Sequence, residues 1–428
     1  KKDKKMKKNH KNAIVVSLNE DISETLELAL SLGYKTVKTF FQLRDKPDVN
    51  SYIGSGKVEE IKEFIENSND DIDLVIINGE IKPSQWFILE KELNIDVYDR
   101  VRLILAIFEQ RADRREARLQ VKLAQLQYER PFVRELIHRA RAGEHPGFMA
   151  GGEYQVDDYY EMIKKQMKKI KNELESIRGE RELRRRHRHT GGFYLVSLAG
   201  YTNAGKSSLL NLLSNEKVKV EGKLFSTLST TTRKIKNKDL PILLTDTVGF
   251  IQDLPAFIIN AFHSTLEEIE VADVVILIVD ISENIDTMVK KLKVSLDELI
   301  DLDVNSPIII ALNKTDLLSQ QELLKKIEHI QKLGIVNDKK MIPVSAKTGY
   351  NINMLLETIY NVLPHLIGFK IKLPVNNETQ SFISWIYEKT RVHEVSYNDF
   401  VTISGECNIR IHGIICSKCK EFKGLVIQ

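Results

Sequence analysis

Cysteine is scarce in this chain. There are three in 428 residues, and so few, an odd number, cannot build a disulfide framework and fit a reducing cytoplasm. No uninterrupted apolar run reaches the about 20 residues of a membrane-spanning helix. The basic opening KKDKKMKKNHK (residues 1–11) is not followed by the apolar run and small-residue cleavage site of a secretory signal, and reads as a solvated, disordered tail. The net charge is only +3, so the informative quantity is how charge is distributed. Cys416 and Cys419, in CSKC, stand near Cys407 and His412, as in some zinc sites. Those residues are crowded among segments such as IRIHGIIC that read as strands, and ordinary reduced thiols are the better reading.

What is present is globular. Charged residues make up 29 % of a chain long enough for two to four domains, each with its own core. Residues 12–100 alternate apolar runs (AIVVSL, IDLVIINGE, IDVYD) with amphipathic ones (ISETLELALSLG, SQWFILEKELN), the rhythm of a small α/β domain on a parallel sheet. Between them, YIGSGKVEEIKEFI places Gly54, Gly56 and Lys57 in a phosphate-like cluster without the full P-loop spacing, which reads as a glycine turn opening a helix.

Residues 101–190 differ in kind. Leu105, Phe108, Ala112, Leu119, Leu123 and Leu126 in residues 101–139, and Ile163, Met167, Ile170, Leu174 and Ile177 in residues 155–189, follow helical spacing. Two such stripes predict an antiparallel helical hairpin with a seam between its helices. Its tip, residues 141–154, is glycine-rich and carries Phe148 and Met149. Its second arm ends in RGERELRRRHRH, a basic run that, together with the tip, points to RNA.

The nucleotide motifs begin in FYLVSLAGYTNAGKSSLLNLL. Gly200, Gly205, Lys206 and Ser207 satisfy the P-loop spacing in a strand–turn–helix context. There the backbone N–H groups of residues 200–208 (Gly200, Tyr201, Thr202, Asn203, Ala204, Gly205, Lys206, Ser207, Ser208) close around a phosphate at a helix N-terminus. Lys206 neutralises β- and γ-oxygens, and the Ser207 hydroxyl suits Mg²⁺. LPILLTDTVGF then aims Asp246 at the metal and the Gly249 N–H at the γ-phosphate, with Thr247 and Val248 between them. PIIIALNKTD supplies Asn313, Lys314, Thr315 and Asp316, whose aspartate matches the N1–H and 2-amino donors found together on guanine. MIPVSAKTG adds Ser345, Ala346 and Lys347, the Ala346 N–H meeting guanine O6. Four ordered motifs at strand ends predict a GTP-binding, doubly wound α/β domain over residues 193–366. LFSTLSTTTRKI offers four threonines for sensing the metal and γ-phosphate: Thr227, Thr230, Thr231 and Thr232. Spacing does not choose among them. Residues 367–428 read as a small α+β domain, with FKIKLP and DFVTISG as strands around a helical QSFISWIYEKT.

Through these motifs the chain resembles the HflX GTPases. GYTNAGKSS, DTVGFIQDLP and LFSTL…TTR carry the resemblance, as do YIGSGKVEEI and LQVKLAQLQYERP outside the nucleotide domain; it covers most of residues 35–428. The resemblance implies a Mg²⁺-dependent cytoplasmic GTPase, a monomer, that binds the large ribosomal subunit and its rRNA and splits or rescues ribosomes. Its hairpin would reach towards the peptidyl-transferase centre. The alternative is a GTP-regulated RNA-binding assembly factor. The family's F-x-T-L segment points to Thr227, within Phe225, Ser226, Thr227, Leu228 and Ser229, as the Mg²⁺-sensing threonine, with Thr231 in reserve. The implied catalytic set is Lys206, Thr227 and Gly249. The metal set is Ser207 and Thr227, with Asp246 standing behind them. Ser229 and Thr230 replace the usual aspartate and proline before TTR, and the tip GEHPGFMAGGEY resembles the archaeal branch. Where the best-known switch GTPases have a water-orienting glutamine after the DxxG glycine, this chain has Phe250. It resembles the hydrophobic substitution of several GTPase families, so slow intrinsic turnover is expected, with a partner or K⁺ supplying the missing charge. Asn203 is where potassium-activated relatives place a cation ligand; a turn-stabilising amide is the other reading of it.

Overall fold

The computed structural model describes residues 11–141, 153–190, 193–214, 225, 228, 230–235, 241–252, 254–336, 339–364, 366–397 and 399–427. By its contacts the chain forms two compact units. The first is Lys1–Glu175 with Lys223–Phe225 and Asp253–Phe262, and the second is Ser176–Gly222, Ser226–Gln252 and His263–Gln428.

The first unit opens with β1 (Lys11–Ser17), α1 (Ser23–Ser31), β2 (Tyr34–Phe41), α2 (Ser55–Asn67), β3 (Leu74–Ile77), α3 (Pro83–Leu93) and β4 (Val97–Asp99). Its sheet runs β2-β1-β3-β4, every pairing parallel. Every residue of β3 is buried, as in strands covered on both faces. Ile14, Val16, Ile53, Ile61, Val75, Ile77 and Leu89 form one core there.

The long helix expected over residues 101–139 is two helices, α4 (Arg100–Arg111) and α5 (Arg115–Arg141). Their burial explains the break. In α4, Val101, Leu103, Ile104, Leu105, Ile107 and Phe108 are buried, so the helix is apolar over much of its circumference. The following α5 buries Ala117, Val121 and Ala124 and, on another stripe, Leu123, Leu126, Val133 and Ile137, the latter against Ile163, Met167 and Ile170 of α6 (Glu153–Thr190). α4 and α5 also pack on each other, which one straight helix could not do. Ala112 turns the chain at φ −74°, ψ 90°, and its carbonyl accepts Arg118 Nε at 3.0 Å. Also within this unit, Phe108 meets Phe225 (4.7 Å between ring centres, 87°) and Phe262 (4.9 Å, 71°) edge-on. Residues 142–152, with Phe148 and Met149, lie outside the described residues, as do the side chains of Arg184, Arg185, Arg186 and Arg188.

The second unit carries β5 (Tyr194–Gly200), α7 (Lys206–Leu213), β6 (Thr231–Lys234), β7 (Ile242–Asp246), the C-terminal part of α8 (Ala256–Glu270), β8 (Val274–Asp280), α9 (Ile285–Asp301), β9 (Ile308–Asn313), α10 (Gln320–Lys332), β10 (Lys340–Pro343) and α11 (Ile352–Val362). Its six-stranded sheet runs β10-β9-β8-β5-β7-β6; all pairings are parallel except β6 with β7. The loop after β5 leaves between β8 and β7, where a doubly wound sheet opens its ligand crevice.

The remaining elements are β11 (Ile367–Pro374), α12 (Asn377–Lys389), β12 (Arg391–Tyr397), β13 (Phe400–Cys407), α13 (Ile409–Glu421) and β14 (Leu425–Val426). They pair antiparallel as β12-β13-β11-β14, a split β-α-β-β-α-β topology. IRIHGIIC, expected as a strand, is the start of α13. Asn408 caps it by accepting the Ile411 N–H at 2.8 Å, and Ile411, Ile415 and Cys419 recur on one buried face. Cys407 and Cys419 are buried, and burial pushes the Cys407 thiol up to about 12. Among the described residues no group of three metal-ligating side chains forms, and no helix is long and apolar enough to cross a membrane.

Candidate nucleotide-binding site

The phosphate end is built on β5, whose seven residues are all buried. Gly200 ends it at φ +141°, where a Cβ would stand 2.3 Å from the Ile278 carbonyl oxygen. Gly205 holds φ +102°, and a Cβ there would meet Asn313 Nδ2 at 2.2 Å. That closeness is used: Asn313 Nδ2 donates to the Ala204 carbonyl at 2.8 Å, joining the guanine motif to the phosphate loop. Asn203 is exposed at φ +62°, a left-handed conformation asparagine tolerates better than most residues.

Lys206 opens α7 and is buried. Its Nζ donates to the carbonyls of Gly200 (2.9 Å) and Tyr201 (2.8 Å). Burial lowers its pKa to about 8, against a smaller opposite pull from Asp246. Ser207 Oγ donates to Asp246 Oδ2 at 2.6 Å, with both residues buried. A hydroxyl beside a carboxylate at a phosphate loop is an all-oxygen donor pair, which fits Mg²⁺. Gly249 comes so close to the loop that a Cβ there would stand 2.8 Å from Lys206 Nζ and 3.0 Å from Thr202 Cα. Thr247 Oγ1 donates to the Leu198 carbonyl at 2.7 Å and holds the segment to β5.

Phe250 is 4 % exposed, so its side chain belongs to the core. Its main chain binds the phosphate loop: its N–H donates to Gly200 O at 3.0 Å, and its carbonyl accepts the Thr202 N–H at 2.9 Å.

The base end gathers three loops. Ser345 Oγ donates to Asp316 Oδ1 at 2.6 Å, and the Thr348 N–H donates to the same serine oxygen at 3.1 Å. The Ala346 N–H donates to Asn313 Oδ1 at 2.9 Å, and Thr315 Oγ1 to the Val344 carbonyl at 3.0 Å. Lys347 Nζ lies 3.9 Å from Asp316 Oδ2. Lys314 holds φ +67° and pairs with Asp280 Oδ2 at 2.5 Å. Asp280 escaped the sequence reading, because it ends β8 far from any motif. Lys291 and Glu283, beside the phosphate loop, escaped it too.

The segment that would sense the γ-phosphate is described only in part. Ser226, Thr227 and Ser229 lie outside the described residues, while Phe225 and Leu228 are buried. Thr231, the reserve candidate, begins β6 and pairs in register with Asp246; Thr232 Oγ1 lies 3.0 Å from Thr245 Oγ1.

Family models match along the chain as a GTP-binding GTPase N-terminal region (residues 19–109), a GTP-binding GTPase middle region (111–188) and a 50S ribosome-binding GTPase (195–314). The GTPase HflX of Thermococcus kodakarensis is 42% identical over 385 residues, covering 88% of this chain and 86% of that protein. The GTPase HflX of Methanocaldococcus jannaschii is also 42% identical, covering 88% and 90%. Among solved structures, a GTP-binding protein from Sulfolobus solfataricus in complex with GDP is 27% identical, with a TM-score of 0.45, covering 82% of this chain and 98% of that one.

Proposed function

The chain belongs to the HflX family of GTPases, and from that premise we propose that it is a GTP-driven switch that engages the large ribosomal subunit and splits or rescues ribosomes. It binds GTP and hydrolyses it, as P-loop GTPases do with Mg²⁺. The observation that carries the ribosomal partner is the family model over residues 195–314, described as a 50S ribosome-binding GTPase. In this reading Lys206 offsets the charge of the β- and γ-phosphates. Ser207 and Thr227 would hold the metal, with Asp246 behind them, and the Gly249 N–H would meet the γ-phosphate. Asp316 and Ala346 read guanine. GTP would favour the ribosome-bound state, and its hydrolysis would release the protein.

Co-sedimentation tests this. With a non-hydrolysable GTP analogue the protein should pellet with large subunits, and with GDP it should remain in the supernatant. Binding to neither mature subunits nor precursor particles would dismiss the ribosomal reading. Pelleting with precursor particles alone would replace it by the assembly factor.

A further inference from the structure

Beyond Asp246, which accepts the Ser207 hydroxyl, the DTVGFIQ segment makes three further hydrogen bonds to the phosphate loop among the described residues. Two are main-chain bonds: Phe250 N–H to Gly200 O, and Thr202 N–H to Phe250 O. Those can form whatever the side chains are. The third cannot, because the Gln252 N–H donates to the phenolic oxygen of Tyr201 at 2.8 Å. Tyr201 is itself fixed. It is 6 % exposed, and Lys291 Nζ of α9 lies 5.0 Å from its ring centre while pairing with Glu283 at 2.5 Å. At its main-chain end, the Tyr201 carbonyl accepts Lys206 Nζ at 2.8 Å. A single residue thus touches the phosphate-binding lysine with its carbonyl and the segment beyond Gly249 with its hydroxyl.

We propose that Tyr201 is a positioning residue for GTP hydrolysis, its hydroxyl fixing where the 246–252 main chain stands against the phosphate loop. The position matters because Phe250 offers no hydrogen bond to an attacking water. What the segment presents to the γ-phosphate and the water is its main chain, and misplacing reacting groups by about 1 Å costs on the order of 100-fold in rate. Loosening one end of the segment therefore acts on the chemical step more than on nucleotide binding, which rests on the loop's own N–H groups, Lys206 and Asp316.

Tyr201→Phe removes one oxygen and leaves the ring beneath Lys291. Its kcat for GTP should fall about tenfold, with KM and GDP affinity within about twofold of wild type. Solvent exchange of the Gln252 amide should quicken while β5 and β7 stay protected. Tyr201→Ala, which also removes the ring from Lys291, should lower kcat further. A Tyr201→Phe enzyme with wild-type kcat overturns the proposal. So does one in which kcat, GDP affinity and melting temperature fall together, since that pattern marks a structural role only.

Discussion

In the proposed reading, guanine recognition rests on one carboxylate, that of Asp316. Its side chain is 14 % exposed, with Ser345 donating to one oxygen and Lys347 near the other. The Ser345 hydroxyl can rotate to face an amide, so Asp316→Asn should fold. The amide would present a donor to donors, and a site built around two hydrogen bonds rejects a ligand lacking the match by about 10⁴-fold. Titration of Asp316→Asn with GDP and with xanthosine diphosphate should show affinity moving from the first to the second; unchanged GDP affinity would remove Asp316 from base recognition. Asp316 was legible because the NKTD motif is local. The Lys314–Asp280 pair was not, because its partner arrives on another strand. Asn203 stands between these cases. Its exposed, left-handed backbone is explained by turn geometry, while its place in GYTNAGKS is where the resemblance puts a cation ligand. If it holds K⁺ beside the phosphates, steady-state GTP turnover should be several-fold faster in potassium than in sodium at equal ionic strength. Equal rates in the two salts would leave Asn203 a turn residue.

Elements were readable where their burial is uniform along the sequence. The apolar runs of β5 and β9 lie in the nucleotide domain's sheet, and each announces itself through the motif it ends in; β8, equally buried, ends in no motif. Edge strands do not. Neither TTRK of β6 nor RVHEVSY of β12 has a buried residue, and pairing with a neighbour rather than hydrophobic pattern defines them. IRIHGIIC misled for a related reason. Its β-branched residues fit a strand as well as a helix, and the deciding signals were the Asn408 cap and the repeat of Ile411, Ile415 and Cys419. The stripe through residues 101–139 reads as continuous because spacing records periodicity and not where the chain must fold back on itself. Ala112 is where the chain turns so that α5 packs back on α4.

Over the whole molecule, positive charge is a matter of place, since the net charge is only +3. Part of it lies at the end of α6, which begins in the first unit and ends in the second. Within the second unit, Arg178 of α6 pairs with Glu267 of α8 at 2.7 Å; Glu267 is 8 % exposed and Arg178 55 %. That arginine is held by the fold. Arg184, Arg185, Arg186 and Arg188 follow it on the same helix, and in the ribosomal reading they meet rRNA phosphates. For every arginine that no longer neutralises a phosphate, the slope of log affinity against log salt should shrink by about 0.7 to 0.9. Replacing the four arginines by glutamine, which keeps helix propensity, should therefore weaken ribosome binding and flatten its salt dependence. Replacing the tip, residues 141–154, by a short Gly-Ser turn should act differently. Intrinsic GTP hydrolysis should be unchanged, whereas ribosome-stimulated hydrolysis and splitting fall together, because the tip would act where it touches the ribosome and not through general charge. Measuring affinity across salt and splitting rate for both variants separates the two roles. If the tip variant splits ribosomes at the wild-type rate, the hairpin serves only as a spacer.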